Sequence, residues 1–335
     1  MNAGHLDDIP WDERKSPSGK FHSFCQDISL ALGGIRNVGT WGGSHPLDLQ
    51  KRRIPAGASV CPYHAHLAQW ELFYVISGEG QVRTPEGDTR VHPGDVFVHP
   101  PRETHQLTNI GTEDLLVYII ADNVPLDGFY YPDSDKWGLR PPSGYFRALS
   151  AHYYEGEELV ARTDLPAPIA LTPPDSSFRK LSSDLLSWIP WSSPQGKFQG
   201  TSKELSIALG AQRDTPTGLG GHPFDLELSR LEAGQCGCPY HSHSAQWELY
   251  LILHGEGKAR SIEGERNVRT GDVFVYPPGE AHQLTNVGGD HLDFLLVADN
   301  PLTDVWHYPD SDKWSFRGAE RMFKPVDGDL WTGEE

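Results

Sequence analysis

The sequence predicts an all-β fold: two tandem antiparallel barrels or jelly rolls within 335 residues. Three observations lead there. Short apolar runs of strand length, bounded by turn residues, recur throughout, while helical periodicity is weak. Glycine (35) and proline (27) are plentiful, as many short strands joined by tight turns require. The second half also repeats the first. A constant offset of 177 residues superimposes them without a gap from His45 to Trp137, and more than half the positions in 57–111 are identical. Antiparallel strands this short and numerous close on themselves as barrels or jelly rolls.

In chain order, IPWDERKSPSGKF (9–21) and IPWSSPQGKF (189–198) open the two copies. They are candidates for edge arms exchanged between the halves. ISLAL (28–32) has helical character. CPYHAHLAQWELFYVISGEG (61–80) and CPYHSHSAQWELYLILHGEG (238–257) each contain a strand that ends at a glycine turn. GDVFV is a strand entered from a Gly-Asp turn and left at Pro100-Pro101. LLVYII (115–120) and FLLV (294–297) have strand length and stop at Ala-Asp-Asn. YPDSDKW (131–137 and 308–314) is either a lid over the barrel mouth or a cap on its outer wall. YYEGEE (153–158) and LWTGEE (330–335) echo one another. The expected domains are 1–158 and 186–335, joined by a Pro/Ser-rich linker, 159–185, semi-extended because of its prolines.

Net charge is −18, spread along the chain, which argues against nucleic acid or an anionic membrane surface as partner. No run approaches the roughly 18 apolar residues of a membrane span. The N-terminus, MNAGHLDDIPWDERK, lacks an apolar segment, so a cytoplasmic location is the default expectation. Cys25, Cys61, Cys236 and Cys238 lack CxxC spacing and read as free thiols, with Cys61 and Cys238 assigned to packing. The expected partner is a small-molecule substrate, and a homo-oligomer is open.

The chemistry concentrates in one repeated constellation: His64, His66, Glu71 and His105, then His241, His243, Glu248 and His282. Alternation along a strand points His64 and His66 the same way. Glu71 joins them if the LAQ segment turns, and His105 must come from a neighbouring strand. Three imidazoles and a carboxylate leave open positions on a six-coordinate ion, as catalysis requires and structural zinc does not. Of the sixteen histidines, eight form four pairs under the offset, and three of those pairs are these ligands. The alternative is a relic barrel whose histidines bond backbone carbonyls. The fourth pair, His45 and His222, lines the pocket mouth or serves a turn. Gln69 and Gln246 point inward or support the ligands. Arg83 and Arg260 bind an anionic substrate or are solvated.

The same residues resemble the two motifs of the cupin superfamily. The first is carried by Gly57, His64, His66, Glu71 and Gly78, and again by Gly234, His241, His243, Glu248 and Gly255. The second is carried by Gly94, Pro100, His105 and Asn109, and by Gly271, Pro277, Gly279, His282 and Asn286, with Arg102 where the motif has glycine. The chain is thus similar to a bicupin, two tandem cupin barrels. The resemblance implies a divalent transition metal in each half (Fe, Mn, Ni, Cu, Co or Zn) and a structural asparagine. It does not fix the reaction. A dioxygenase-like oxidoreductase, with Glu71 or Glu248 swinging off the metal as a base, is the first expectation. A redox-neutral sugar or sugar-acid isomerase or lyase is the second, and a non-catalytic ligand-binding bicupin the third. Oxalate decarboxylases carry an arginine three residues before the first histidine, where this chain has Cys61 or Cys238.

Overall fold

The computed structural model describes residues 1–141, 143–150, 153, 155, 157, 171, 178–318 and 321–328. Most of the expected linker and the terminal LWTGEE echo lie outside them. The chain divides into two compact units, Ile9–Leu185 and a second that combines Leu186–Glu335 with Met1–Asp8. This differs from the expected boundaries at two segments: Met1–Asp8 goes with the second unit, and 179–185, expected as linker, goes with the first.

The first unit is built on a seven-stranded sheet. Its strands, in order across the sheet, are Arg179–Ser182, Asp95–His99, Glu71–Ser77, Leu115–Asp122, Leu47–Ile54, His22–Asp27 and Asp12–Lys15. A three-stranded sheet (Gln106–Asn109, Gly80–Thr84, Gly87–Val91) and a four-stranded one (Gly144–Phe146, Lys136–Arg140, Asp127–Tyr131, Ala65–His66) complete it. The second unit repeats the large sheet as Asn2–His5, Asp272–Tyr276, Glu248–His254, Leu292–Asp299, Phe224–Leu231, Gln199–Glu204 and Ile189–Ser192. All named pairings are antiparallel, and among the described residues each unit has one α-helical turn, Ile28–Ala31 within the ISLAL segment and Leu205–Ala208.

The apolar faces of these strands meet inside each unit. Ile54, Phe73, Val82, Phe97, Leu107 and Val117 are buried together in the first, and Leu231, Ile252, Val268, Phe274 and Leu292 in the second. Asn109, fully buried, donates from Nδ2 to the carbonyls of Ile54 and Glu113 (both 2.8 Å), and Asn286 does the same to Leu231 and Asp290. The asparagine therefore ties loop to sheet, as the resemblance implied.

The IPW stretches are not the exchanged arms. Asp12–Lys15 and Ile189–Ser192 pair with His22–Asp27 and Gln199–Glu204 of their own units. The residues just before them complete the far edges: Asn2–His5 on Asp272–Tyr276, and Arg179–Ser182 on Asp95–His99. These two arms are themselves equivalent under the 177-residue offset. YPDSDKW is a hairpin turn, neither lid nor separate cap: Asp127–Tyr131 and Lys136–Arg140 pair around it, with Pro132–Ser134 as one 3-10 turn.

Candidate metal centres

The backbone sets the ligand positions. His64 and His105 face each other across an antiparallel bridge, each donating its N–H to the other's carbonyl at 3.1 and 2.8 Å. Ala65–His66 pairs with Tyr130 and Phe129. Glu71 starts the strand Glu71–Ser77, between Leu115–Asp122 and Asp95–His99. The LAQ segment turns as expected, and two acids hold the turn. Asp127 Oδ1 accepts from the amides of Leu67 and Ala68 (3.1 and 2.9 Å), and Asp122 Oδ1 accepts from Trp70 (2.6 Å).

The eight side chains converge in two groups. His64 Nε2 lies 3.1 Å from His66 Nε2, His66 Nε2 3.5 Å from Glu71 Oε2, and His105 Nε2 2.9 Å from the same oxygen. The second unit repeats this with His241 and His243 (3.1 Å), His243 and Glu248 (3.4 Å), and His282 and Glu248 (2.8 Å). There all four ligand atoms lie within 4.8 Å of one another. In the first unit His64, His66 and Glu71 meet that limit, and His105 stands slightly further from His66, with ring centroids 6.3 Å apart against 6.0 Å for the second-unit pair.

The donor chemistry fits a cation. Each ring's outer nitrogen already faces an acceptor: His64 Nδ1 the Pro62 carbonyl (3.0 Å), His105 Nδ1 the Glu103 carbonyl (3.1 Å), and His66 Nδ1 Asp127 Oδ2 (2.6 Å). A ring nitrogen this close to a carbonyl or carboxylate oxygen carries the proton, so in the neutral ring Nε2 presents a lone pair. Three lone pairs and a carboxylate then point at one place with no donor among them, an arrangement that a metal ion satisfies. The second unit has the same partners: Pro239 (2.9 Å), Glu280 (3.1 Å) and Asp304 Oδ2 (2.6 Å). Burial lowers the His66 pKa, but the carboxylates of Glu71 and Asp127 outweigh it and raise the group above its ordinary value.

The other expected residues are distributed differently. Gln69 and Gln246 line the cavities beside the ligands, and their Nε2 atoms are anchored on the Asp122 and Asp299 carbonyls (2.6 and 2.7 Å). Arg83 and Arg260 are not brought to the site. Each forms a two-bonded ion pair with the YPDSDKW turn, to Asp133 and Asp310, and covers a tyrosine ring, Tyr63 or Tyr240, at 3.8 Å. Their spacing from the GEG turn gave no sign of those carboxylates, which lie 50 residues on. His45 and His222 are buried away from both cavities, in turns whose carbonyls accept from Asn123 and Asn300 (2.9 and 3.0 Å). Cys61 and Cys238 are free thiols that sit beside the site, each with Sγ 3.5 Å from His64 or His241 Nδ1. Strand alternation did not apply to Cys61 because 60–63 is a bend, nor to Cys238, which also lies in a bend.

Sequence reasoning missed Asp127 and Asp304, which hold His66 and His243. Their identity under the offset was the available signal. It also missed what separates the halves. His99 stacks on His105 at 3.9 Å and contacts Glu103 Oε1 through Nδ1 (2.5 Å), whereas Tyr276 stacks on His282 at 4.2 Å. Tyr250 donates its hydroxyl to Glu248 Oε2 (2.7 Å), and Phe73 occupies the equivalent place beside Glu71. The cavity next to the ligands is about 270 Å³ in the first unit and about 110 Å³ in the second.

Known proteins agree with this architecture. The cupin domain family matches residues 51–121 and 227–298, one stretch in each half. An oxalate decarboxylase from Lactobacillus farciminis, in a formate complex, superimposes with a TM-score of 0.52 at 13% identity, covering 90% of this chain and 87% of that one. The oxalate decarboxylase of Bacillus subtilis gives 0.52 at 15% identity, covering 91% and 78%. An oxalate-binding protein of Thermotoga maritima is 37% identical over 57 residues, 17% of this chain, and the match spans 47% of that relative. The chain thus carries two cupin domains, one in each half, the arrangement of a bicupin. No helix among the described residues is long and apolar enough to cross a membrane.

Proposed function

We propose that this bicupin is a metal-dependent enzyme, dioxygenase-like, acting on a small polar molecule in its amino-terminal half. One observation carries the reading: three imidazole lone pairs and a carboxylate converge at the wall of a cavity of about 270 Å³. His64, His66, His105 and Glu71 would hold the ion there, and His241, His243, His282 and Glu248 would hold a second. When bound, the metal supplies a Lewis acid with open positions, or a redox centre. Asp127 fixes the His66 ring and its tautomer. Glu71 has no hydroxyl donor like Tyr250 beside it, so of the two carboxylates it would be the better one to take a proton from substrate.

A second reading is redox-neutral cleavage of a small carboxylate. It is favoured by the oxalate named for the Thermotoga relative and by the decarboxylases named among the structural neighbours, one of which is described for its Mn(II) centres. Elemental analysis of purified and reconstituted protein tests both, followed by oxygen uptake with diols, phenols and keto acids and by carbon dioxide release from small carboxylates. A redox-active metal with substrate-dependent oxygen consumption supports the first. Metal-loaded protein that releases carbon dioxide without consuming oxygen supports the second. Protein that takes up no metal overturns both.

A further inference from the structure

The two cavities carry opposite charge. Arg14, Arg36, Arg52 and Arg140 line the amino-terminal one, against the acids Asp48 and Glu71. The carboxy-terminal one is lined by a single arginine, Arg213, against Glu204, Asp214, Asp225, Glu227 and Glu248. The 177-residue offset shows where the difference arises. Arg52 corresponds to Ser229, Gln50 to Glu227 and Asn37 to Asp214. Arg14 pairs with Ser23, and the equivalent strand position, opposite Gly200, is Trp191. Two cations, Arg14 and Arg52, are thus lost from the second cavity and two acids, Asp214 and Glu227, are added; Arg140 keeps a counterpart, Arg317, but that side chain bonds the Asp214 and Pro301 carbonyls and does not line the second cavity.

The amino-terminal arginines are not all neutralised. Arg14 and Arg36 share the carboxylate of Asp27. Arg52 is 9% exposed, and its hydrogen bonds go to neutral atoms, Ser23 Oγ (3.2 Å) and Gln50 Oε1 (3.1 Å). Arg140 rests its guanidinium 4.9 Å from the centre of the Phe129 ring. Among the described residues no carboxylate lies within ion-pair distance of Arg52 or Arg140. Asp48, the remaining acid of the lining, has its carboxyl pushed up to about 6 by burial, with Arg36 opposing. A desolvated guanidinium without a counter-ion is costly, and its planar donors match a carboxylate in two-bonded fashion.

We propose that the amino-terminal cavity binds a small dicarboxylate dianion beside the metal, its two charges met by Arg52 and Arg140, and that the carboxy-terminal cavity excludes it. The proposal rests on the reading of the first unit as a metal site and names the substrate class for it. It is distinct from the arginine three residues before the first histidine of oxalate decarboxylases, a position occupied here by Cys61.

Isothermal titration of the cobalt-reconstituted full chain with malonate and succinate, against acetate and erythritol, tests it. One dianion binds per chain, at least tenfold more tightly than acetate. Arg52→Gln and Arg140→Gln each weaken it at least tenfold while two metal ions per chain are retained. Because Arg52 is buried, the partly buried Arg140 provides the variant that keeps its fold. Equal affinity for acetate, two equivalent dianion sites, no dianion binding, or unchanged affinity in Arg140→Gln would overturn the proposal while leaving the metal assignment intact. Failure of the wild-type chain to take up cobalt would instead remove the metal reading on which it rests.

Discussion

At the scale of single residues, the candidate ligands were legible and the groups that position them were not. His64, His66, Glu71 and His105 announce themselves because the donor set one metal ion needs occurs twice in the same spacing. Asp127 does not, because it lies 61 residues from the ring it holds and an isolated aspartate in a turn is common. Its two oxygens are both committed, one to His66 Nδ1 and the other to the Leu67 and Ala68 amides. An asparagine offers a single acceptor oxygen for these donors, so Asp127→Asn leaves one set facing an NH2 group. We expect this substitution to weaken metal binding at the first site by about 10- to 100-fold, the usual cost of losing such a partner, with the second site unchanged. Competition with a chromophoric chelator resolves the two affinities, and equal weakening of both sites would contradict the assignment. The arginines around the first cavity were overlooked for a related reason. Residues repeated in both halves drew attention to Arg83 and Arg260, whereas Arg14 and Arg52 are cations that the second copy lacks.

At the scale of elements, strand periods and turn chemistry predicted the sheets well. Glu71–Ser77, Asp95–His99, Leu115–Asp122 and Leu292–Asp299 cover the runs read as strands. The turn before the third histidine shows a local cost. Arg102 stands at φ 71° where Gly279 takes φ 85°, and both donate their N–H to the carbonyl of the middle histidine at 2.6 Å. The left-handed region costs a non-glycine residue about 1–2 kcal/mol, part of which is offset by the greater chain entropy that glycine loses on folding. Arg102→Gly should therefore stabilise the protein by roughly 0.5–1 kcal/mol. Gly279→Arg should do the reverse, read as opposite shifts of the denaturant midpoint with unchanged slope. A destabilised Arg102→Gly would show that the arginine side chain contributes more than its backbone strain removes.

At the scale of the whole molecule, the duplication was plain from the offset, but the assignment of the short arms was not. Asn2–His5 and Arg179–Ser182 sit outside the stretches of high identity, and a four-residue edge strand has too little pattern to reveal which sheet it joins. Without Asn2–His5, the strand Asp272–Tyr276 presents an open edge, a template for pairing with other chains. Deleting residues 2–8 should lower the unfolding temperature of the carboxy-terminal half and promote concentration-dependent association. Metal binding at the first site should persist, as light scattering and metal analysis would show. An unaltered, monodisperse protein would mean that the arm contributes nothing to that edge. The same arrangement governs what can be done with either barrel alone. Severing the polypeptide at the proline-rich seam yields two pieces that have each walked off with the other's hem, so neither gene half is a portable module. Shuffling one of them into a new protein requires a splice that moves the arm along with it.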